Sequence, residues 1–334
     1  MKALVTGIAG FIGFHVAKRL LSEGYSVVGI DNLNDYYDVQ LKKDRLKELG
    51  IYESDNTWLS SNAHLSFIKM DLQEKDALLN LFSDNKFDYV VHLAAQAGVR
   101  YSLSEPQRYV DSNITGFLNV LECCRFYPVR HLVFASSSSV YGLNAKIPFS
   151  ESDRTDSPIS IYAATKKANE LMAHTYSHLF KMPITGLRFF TVYGPWGRPD
   201  MAIHLFTNAI LNGDSIDVFN HGEMSRDFTY VDDVAESVFR AVLKPSEDQL
   251  LPLNVFNVGK NEPQKITDFI AEIETQANKK AIKNFLPLQS GDVVETFADS
   301  ESLFKYVNYQ PTVSIKEGVS KFVQWYKGYY NLKQ

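Results

Sequence analysis

Short apolar runs alternate with amphipathic segments over the first 190 residues of the chain. The first run covers 3–5. Apolar residues then recur at helical spacing from Phe11 to Leu21, and Gly24 ends this predicted helix. Predicted strands lie at 3–5, 27–30, 65–70, 87–93, 131–135 and 184–190, and predicted helices at 11–21, 39–49, 105–127 and 161–180. Strands that alternate with helices in this way predict a doubly wound parallel α/β sheet of the Rossmann type.

The alternation weakens from Trp196 onward, which predicts a smaller C-terminal lobe that binds the substrate. We expect a dinucleotide-binding domain over 1–190, to which later segments return, and a mainly substrate-binding lobe over 191–334. One strand is predicted in that lobe at 217–220. The segment 52–63 is rich in Ser, Asn and Asp and is predicted to be a loop.

Three glycines follow the first strand at once and open the first helix. Gly7, Gly10 and Gly13 have GxxGxxG spacing, and Phe11 and Ile12 lie between the last two. Such a turn lets backbone approach a pyrophosphate at the positive end of a helix. A tight turn without a ligand is the alternative, but the strand, the helix and the acid that ends the second strand favour dinucleotide binding.

That acid, Asp31, indicates which dinucleotide is bound. A carboxylate at this strand end accepts hydrogen bonds from an adenosine ribose diol and repels a 2′-phosphate. Asn32 follows it, and no arginine or lysine occurs until Lys42. The sequence therefore predicts NAD as the cofactor.

Composition excludes several other classes of protein. The 334 residues carry a net charge of −5 with a pI near 5.9, which argues against a nucleic-acid partner. The two cysteines, Cys123 and Cys124, are adjacent and suggest neither a disulfide nor a zinc site, so no metal is expected. No apolar run is long enough to span a bilayer. We expect a soluble, cytoplasmic protein.

Further candidates for the cofactor site follow the later strands. Asp71 and Leu72 end the third strand, where such a pair can hold an adenine ring; an N-cap for the next helix is an equally good interpretation of Asp71. Small residues at the end of the fourth strand leave room for a cofactor. The remaining predicted contacts are Leu93, Ala94, Ala95, Gln96 and Asn113.

The fifth strand and the helix at 161–180 bring together the candidate catalytic residues. Four serines, 136–139, end the strand, and Tyr162 and Lys166 share one face of the helix. A tyrosine has a pKa near 10, so a nearby ammonium and a cationic nicotinamide are needed to favour its phenolate. The phenolate then takes a hydroxyl proton while hydride leaves the same carbon, and a serine hydroxyl steadies the oxygen.

These motifs resemble the extended short-chain dehydrogenase/reductase family over essentially the whole chain. Within that family the loop sequences are most similar to the UDP-glucuronate 4-epimerases. The loops that carry this similarity are 31–37, 96–102 and 197–202.

The resemblance implies a role for each matching residue. Tyr162 is the base, Lys166 tunes it, Ser137 is the hydroxyl partner and Ser138 makes a secondary contact. The further substrate-binding residues implied are Thr191, Arg198, Arg100, Arg226 and Asp292, of which the last two hold the nucleotide diphosphate and its ribose. It also implies a UDP-sugar substrate and a homodimer formed through the helices at 105–127 and 161–180.

The implied reaction oxidises C4 of the sugar to a ketone, lets the keto sugar turn over and reduces it from the opposite face. Another UDP-sugar 4-epimerase and a UDP-glucuronate decarboxylase remain as alternatives. A 4,6-dehydratase would carry an Asp-Glu pair where Ser138 and Ser139 stand. A non-catalytic NAD-binding regulator is the alternative from a different class, although it would be expected to lack Tyr162 or Lys166.

Overall fold

The first predicted strand lies in the middle of the main sheet in the computed structural model, which describes residues 1–55, 57–288 and 293–332. The strands among these residues are β1 (Lys2–Thr6), β2 (Ser26–Asp31), β3 (Ile51–Ser54), β4 (Thr57–Ser60), β5 (Leu65–Lys69), β6 (Tyr89–His92), β7 (His131–Ser137), β8 (Ile184–Phe189), β9 (Thr191–Tyr193), β10 (Ser215–Val218), β11 (Ser225–Tyr230), β12 (Leu253–Val258), β13 (Pro263–Lys265), β14 (Ile282–Phe285) and β15 (Glu295–Thr296).

The helices lie mostly between these strands. Within the same residues they are α1 (Phe11–Ser22), α2 (Val39–Glu48), α3 (Lys75–Asn85), α4 (Tyr101–Ser104), α5 (Pro106–Tyr109), α6 (Gly116–Phe126), α7 (Ile161–Phe180), α8 (Ala202–Asn212), α9 (Val231–Val242), α10 (Ile266–Ala277), α11 (Glu301–Val307) and α12 (Ile315–Tyr329). In the described chain none of them combines the length and the apolar character that crossing a membrane requires.

The main sheet is parallel throughout and reverses its strand order next to β1. Its seven described strands run in the order β12-β8-β7-β6-β1-β2-β5. The chain builds outward in one direction through β2 and β5 and in the other through β6, β7 and β8. The carboxyl ends of β1 and β6 therefore border a crevice, which is where ligands bind in open α/β sheets.

Helices cover both faces of this sheet. Buried side chains of α1 and α9 pack against one face, and those of α3, α6 and α7 pack against the other. Strands covered on both sides are apolar on both sides, which explains the unbroken run at Ala3, Leu4 and Val5, all 0% exposed. The predicted fold class is confirmed.

A strand from beyond residue 190 completes the sheet. β12 pairs in parallel with β8, from Leu253 opposite Ile184 to Val258 opposite Phe189. The helix α9, which precedes it, packs on α1 beside the cofactor loop. Later segments thus return to the sheet, while the division of the chain at 190 stays a prediction.

The rest of the C-terminal half has its own small core. β11 pairs with β9, β13 and β15, and β10 pairs with β14. Under them Phe228 and Phe269 stack with their ring centroids 4.0 Å apart, and α8, α10 and α12 contribute further buried side chains. Because β9 follows β8 directly, this core is attached to the sheet beside the crevice.

Three predicted elements differ from the structure. The predicted loop at 52–63 contains the antiparallel hairpin β3–β4, whose exposed strands lack the apolar alternation that marks a half-buried strand. The helix predicted at 105–127 is interrupted by a π-helical turn, Val110–Thr115, between α5 and α6. The strand predicted at 217–220 lies at Ser215–Val218, followed by a short 3₁₀ turn.

Replacing Gly13 by alanine tests the close packing of the glycine loop on α1. A Cβ at Gly13 would overlap the carbonyl oxygen of Gly7, whereas a Cβ at Gly328, near the end of α12, meets nothing within 4 Å. Gly13→Ala should therefore weaken NAD binding and lower the free energy of unfolding by about 1–3 kcal/mol. The control Gly328→Ala should raise it by about 0.5–1 kcal/mol. Denaturant unfolding and NAD titration measure both; a Gly13→Ala protein like the wild type contradicts this packing.

Candidate active site

One large cleft lies at the carboxyl ends of the central strands, with an empty volume of about 1740 Å³ including the solvent at its mouth. The cavity volume that compares with other ligand pockets is about 430 Å³, which lies within the range of about 300–1,000 Å³ for small-molecule sites. The predicted site residues that line it are Gly7, Gly10, Phe11, Ile12, Gly13, Asp31, Asn32, Asp71, Leu72, Leu93, Ala94, Ala95, Gln96, Ser137, Tyr162, Lys166, Thr191 and Arg198.

The glycine loop is shaped as an anion cradle. Gly7 has φ +72°, and a Cβ there would lie 2.7 Å from the backbone nitrogen of Ala94, so only glycine fits. Gly10 caps α1 without a side chain, which leaves the first-turn N–H groups of the helix to a ligand. This donor set fits the pyrophosphate of a dinucleotide.

Asp31 ends β2 at the wall of the cleft. Its Oδ1 accepts the N–H of Leu33 at 2.9 Å, and its Oδ2 accepts that of Ala9 at 3.2 Å. Burial raises the pKa of Asp31, although nearby Lys42 and these two hydrogen bonds oppose the rise. The buried carboxylate is fixed in one orientation, as recognition of a ribose diol requires.

Lys42 reaches the same end of the cleft, which the sequence spacing did not suggest. Its Nζ donates to the backbone oxygen of Asn34 at 2.8 Å and to Asn34 Oδ1 at 2.6 Å. Burial lowers the pKa of Lys42, and the charge of Asp31 opposes that shift. α2 brings Lys42 back over the strand end, so a cation does stand near Asp31.

Asp71 is placed against Asn32 and not at a helix cap. Asn32 Nδ2 donates to Asp71 Oδ2 at 2.8 Å, while Asp71 Oδ1 accepts the N–H of Gln73 at 2.9 Å. The next helix, α3, has Glu74 at its cap position. The N-cap interpretation of Asp71 is therefore wrong.

Asn113 lies behind the cleft wall, 1% exposed. Its side chain accepts the N–H of Gln96 at 2.8 Å and donates to the carbonyl oxygen of Gln96 at 3.0 Å. It also donates to Thr165 Oγ1 at 3.0 Å. Asn113 therefore fixes the backbone of Gln96, and through it the strand end, without itself lining the cleft.

Tyr162 and Ser137 form the candidate proton-transfer pair. Burial raises the pKa of Tyr162, while a hydrogen bond with Ser137 and the charge of Arg198 act to lower it. Ser137 Oγ accepts the hydroxyl of Ser139 at 2.9 Å and the N–H of Ser139 at 3.2 Å. Ser137 is thus oriented to donate its own proton to the Tyr162 oxygen, which favours the phenolate.

Lys166 contacts the strand that carries the serines. Its Nζ donates to the carbonyl oxygen of Ala135 at 2.8 Å, and burial lowers its pKa to about 8. It lies one helical turn from Tyr162 on α7, as the spacing predicts. The charge of Arg198 also acts to lower the pKa of Tyr162.

A buried ion pair holds the serine strand from behind. Glu170 and Arg188 form two hydrogen bonds, of 2.8 and 2.9 Å, and both residues are under 7% exposed. Ser136 donates to Glu170 Oε1 at 2.6 Å. Glu170 lies on the same face of α7 as Tyr162 and Lys166. The helix α7 therefore carries Tyr162 and, through Glu170 and Ser136, also holds the strand end that carries Ser137.

Arg198 and Thr191 also line the cleft. Arg198 Nε and Nη2 donate to the two carboxylate oxygens of Asp200 at 2.9 and 2.8 Å, and Tyr36 Oη donates to Asp200 Oδ2 at 3.0 Å. Burial acts to lower the pKa of Arg198, but Asp200 raises it overall. Since Nε and Nη2 are both directed at Asp200, Nη1, on the other edge of the guanidinium, is the nitrogen that could donate to a second anion.

Three predicted substrate residues, Ser138, Arg100 and Arg226, are not among the residues that line the cleft. Ser138 begins the 3₁₀ turn Ser138–Tyr141. Arg100 has its guanidinium 5.1 Å from the ring centre of Phe219. Arg226 donates to the carbonyl oxygens of Val293 at 2.7 Å and Val294 at 2.9 Å. Asp292, which directly precedes Val293 in the sequence, lies outside the described residues.

The glycine cradle, the fixed carboxylate and the Tyr162–Lys166 pair define a dinucleotide-dependent enzyme of the short-chain dehydrogenase class. The chain belongs to the NAD dependent epimerase/dehydratase family, whose model matches residues 3–259. The predicted family is confirmed, and the cofactor is NAD.

Several relatives match the chain from end to end. Protein CapI of Staphylococcus aureus is 51% identical and covers 99% of both chains. A probable UDP-glucuronate 4-epimerase of Rhizobium meliloti is 47% identical over 98% of this chain and 97% of its own. The crystal structure of the Bacillus cereus UDP-glucuronic acid 4-epimerase with UDP-glucuronic acid and NAD superposes with a TM-score of 0.87, at 36% identity, over 99% and 100% of the two chains.

Replacing Asp31 tests the choice between NAD and NADP. Wild-type protein freed of cofactor should bind NAD far more tightly than NADP, because Asp31 repels a 2′-phosphate. Asp31→Asn should weaken NAD binding and narrow the preference for NAD over NADP, since Lys42 then loses the carboxylate that acts on it most strongly. The matched control Asp35→Asn removes an exposed carboxylate paired with Arg108 and should change neither affinity. Calorimetric titration with both cofactors measures this; equal wild-type affinities contradict the role of Asp31.

Proposed function

We propose that this protein interconverts UDP-glucuronate and UDP-galacturonate by inverting C4 of the sugar. The observation that carries the proposal is the meeting, in one cleft, of a cofactor cradle, a tyrosine–serine proton pair and an arginine. Family membership and relatives named as UDP-glucuronate 4-epimerases support the choice of reaction and substrate.

Tyr162 takes the C4 hydroxyl proton in one half of the reaction and returns it in the other. Ser137 donates to the tyrosine oxygen and so favours the phenolate, against the effect of burial. Ser139 donates to the Ser137 oxygen and keeps Ser137 in place at the end of β7. The Ser137 hydroxyl proton can then turn to the C4 oxygen of the sugar as that oxygen becomes a carbonyl.

NAD, when bound, supplies reversible hydride acceptance at C4. The glycine cradle, Asp31 and the Asn32–Asp71 pair would hold its pyrophosphate and adenosine, and the small residues at Leu93, Ala94 and Ala95 would leave room for the rest. Tyr162 returns the proton that it took, so its protonation state is the same before and after every turnover.

Arg198 and Thr191 recognise the carboxylate of the sugar in this proposal. Arg198 can offer Nη1 while Nε and Nη2 stay on Asp200, so a single contact needs no rearrangement. A fork on the sugar carboxylate would require Asp200 to move. A carboxylate held near the ketone plane resists loss of carbon dioxide, which separates an epimerase from a decarboxylase that uses the same sugar.

The nucleotide stays anchored while the keto sugar turns. We assign this anchoring to Arg226, Asp292 and Arg100 in the C-terminal lobe, with Ser138 as a secondary contact to the sugar. Arg226 supports the assignment because it organises the backbone at Val293 and Val294, next to Asp292. We place the activity in the cytoplasm, where Cys123 and Cys124 would remain the free thiols they are in the structure.

Incubation of the purified protein with UDP-glucuronate, followed by proton NMR of the nucleotide sugars, tests the proposed reaction. UDP-galacturonate should accumulate to a constant ratio, without added reductant or net NADH. A UDP-pentose as the main product would indicate a decarboxylase, and turnover of UDP-glucose alone would indicate a different substrate. Binding of NAD and UDP-glucuronate without any product would contradict an enzymatic role.

Tyr162→Phe should lower kcat about 100-fold or more, because the base is lost while its ring is kept. NAD binding and the melting temperature should stay close to wild type. Activity within a few-fold of wild type at all pH values contradicts Tyr162 as the base.

Ser137→Ala supplies the complementary control. Without the Ser137 hydrogen bond the pKa of Tyr162 should rise, so the increase of kcat with pH should move to higher pH than in the wild type. An unchanged pH profile would show that Ser137 does not act on the tyrosine.

Arg198→Ala should lower turnover of UDP-glucuronate selectively. One charge-assisted contact is worth about 1.5–3 kcal/mol, or roughly 10- to 100-fold in kcat/KM. Arg198→Lys should also be impaired, because lysine lacks the fork that holds Asp200 and the sugar together. Because Arg198 also acts to lower the pKa of Tyr162, the two sugars are compared at the pH of maximal kcat, where any slow reaction on UDP-glucose should hold or rise and the pentose by-product should increase. Equal losses on both sugars would place Arg198 at a phosphate instead.

We also propose that the protein is a homodimer formed through α6 and α7. These adjacent helices carry a cluster of large apolar side chains that are 38–60% exposed: Leu118, Phe126, Leu171, Leu179 and Phe180. Exposed apolar clusters of this kind are typical of protein–protein interfaces. A second copy of the chain would bury both helices against their symmetry mates.

Light scattering after size exclusion tests the dimer. The wild type should have twice the 37.9 kDa mass of the chain, and Leu171→Glu should shift it toward the monomer. Leu205→Glu, which changes an equally exposed leucine on α8, should remain dimeric. A monomeric wild type, or identical behaviour of both variants, contradicts this interface.

A further inference from the structure

Arg45 is a buried cation that the chemistry above does not use. It lies on α2, is 0% exposed and is the largest fully buried side chain among the described residues. Each of its hydrogen bonds ends on an uncharged oxygen. A guanidinium held in this way is costly to bury, so its position needs an explanation other than packing.

The hydrogen bonds of Arg45 join the glycine loop before α1 to the loop after β9, at Ala9 and Trp196. Nη1 donates to the carbonyl oxygen of Ala9, in the glycine loop, at 2.8 Å. Nε and Nη2 both donate to the carbonyl oxygen of Trp196, at 3.0 and 2.7 Å, and Nη2 also reaches that of Gly197 at 3.4 Å.

Both ends of this connection are under constraint. The backbone of Ala9 is held on both sides, since its N–H donates to Asp31 and its carbonyl oxygen accepts from Arg45. Trp196 has φ +62°, a left-handed conformation that a bulky residue adopts only when its surroundings impose it. The two bonds from Arg45 to its carbonyl oxygen hold it there, two residues before Arg198.

We propose that Arg45 is a positioning residue that couples the cofactor loop to the segment 194–201, so that NAD and the UDP-sugar strengthen each other's binding. NAD on the glycine loop fixes the Ala9 peptide, which fixes the guanidinium and with it the carbonyl oxygen of Trp196. The Arg198–Asp200 pair is then held ready for the sugar. This inference rests on the proposed function for the identity of the sugar ligand.

The planar fork of arginine is needed for this connection. It directs donors at Ala9 on one edge and at Trp196 on the other, whereas a lysine ammonium cannot span both with fixed geometry. Tyr37 Oη accepts a further bond from Nη1 at 2.6 Å, which fixes the plane of the fork. Arg45→Lys therefore keeps the charge and should lose the coupling.

The test measures the dissociation constant of NAD with and without saturating UDP-glucuronate, on protein first freed of cofactor. In the wild type the sugar should tighten NAD binding about 5-fold or more. In Arg45→Lys this factor should fall toward 1. The matched control Lys43→Met, an exposed cation on the same helix paired with Glu53, should keep the wild-type factor. A wild-type factor near 1, or an unchanged factor in Arg45→Lys, overturns the proposal.

A second measurement uses only the wild-type protein, so it tests the coupling even if Arg45→Lys fails to fold. ADP, which has a pyrophosphate and no nicotinamide, should slow amide hydrogen exchange in 194–201 several-fold. Unchanged exchange there, with ADP bound, also overturns the coupling. If UDP-glucuronate fails to bind the wild-type protein at all, the proposed function is wrong, and the ADP measurement still decides the role of Arg45.

Discussion

The reversal of strand order between β1 and β6 is the constraint on which the rest of the structure depends. It opens a crevice at the strand ends, and the loops after β1 and β6 must then pass very close to each other. Gly7 meets that demand, because a side chain there would collide with Ala94. The same reversal places β7, with its serines, beside the open strand end of β6. Cofactor cradle and catalytic pair are thus neighbours because of the sheet topology.

The chemistry depends on a balance of opposing effects at Tyr162. Burial favours the neutral phenol, and the Ser137 hydrogen bond and the charge of Arg198 favour the phenolate. Arg198 is itself paired with Asp200, so its influence depends on what occupies the cleft. A carboxylated sugar that contacts Arg198 would therefore also act on the base. In the proposed reaction, substrate recognition and proton transfer would therefore share one charged group, Arg198.

Much of the fold and of the cofactor site could be predicted from the sequence, because the signals are local. The GxxGxxG turn, Asp31 at a strand end and the Tyr162–Lys166 spacing each lie within one strand, turn or helix. Lys42 and Arg45 could not be placed in this way, since their roles depend on how α2 folds back over the sheet. The hairpin β3–β4 was missed because its strands are exposed and carry no apolar alternation.

The site on the sugar side was harder to predict for a related reason. Arg198 was expected to face the substrate, and the structure shows that its neighbour Asp200 already occupies its fork. A sequence motif does not show that Asp200, two residues away, competes with a ligand for the guanidinium of Arg198. For Arg226 the role in substrate binding stays a prediction, and its contacts with the backbone at Val293 and Val294 follow only from the fold.

The fate of a deuterium label at C4 of UDP-glucuronate tests the central claim most directly. If one cleft removes and returns the hydrogen on the same sugar, UDP-galacturonate should carry the deuterium at C4 almost completely, even in a mixture with unlabelled NADH. Mass spectrometry and proton NMR of the product measure this retention. Loss of the label to solvent or to the added cofactor would contradict the account.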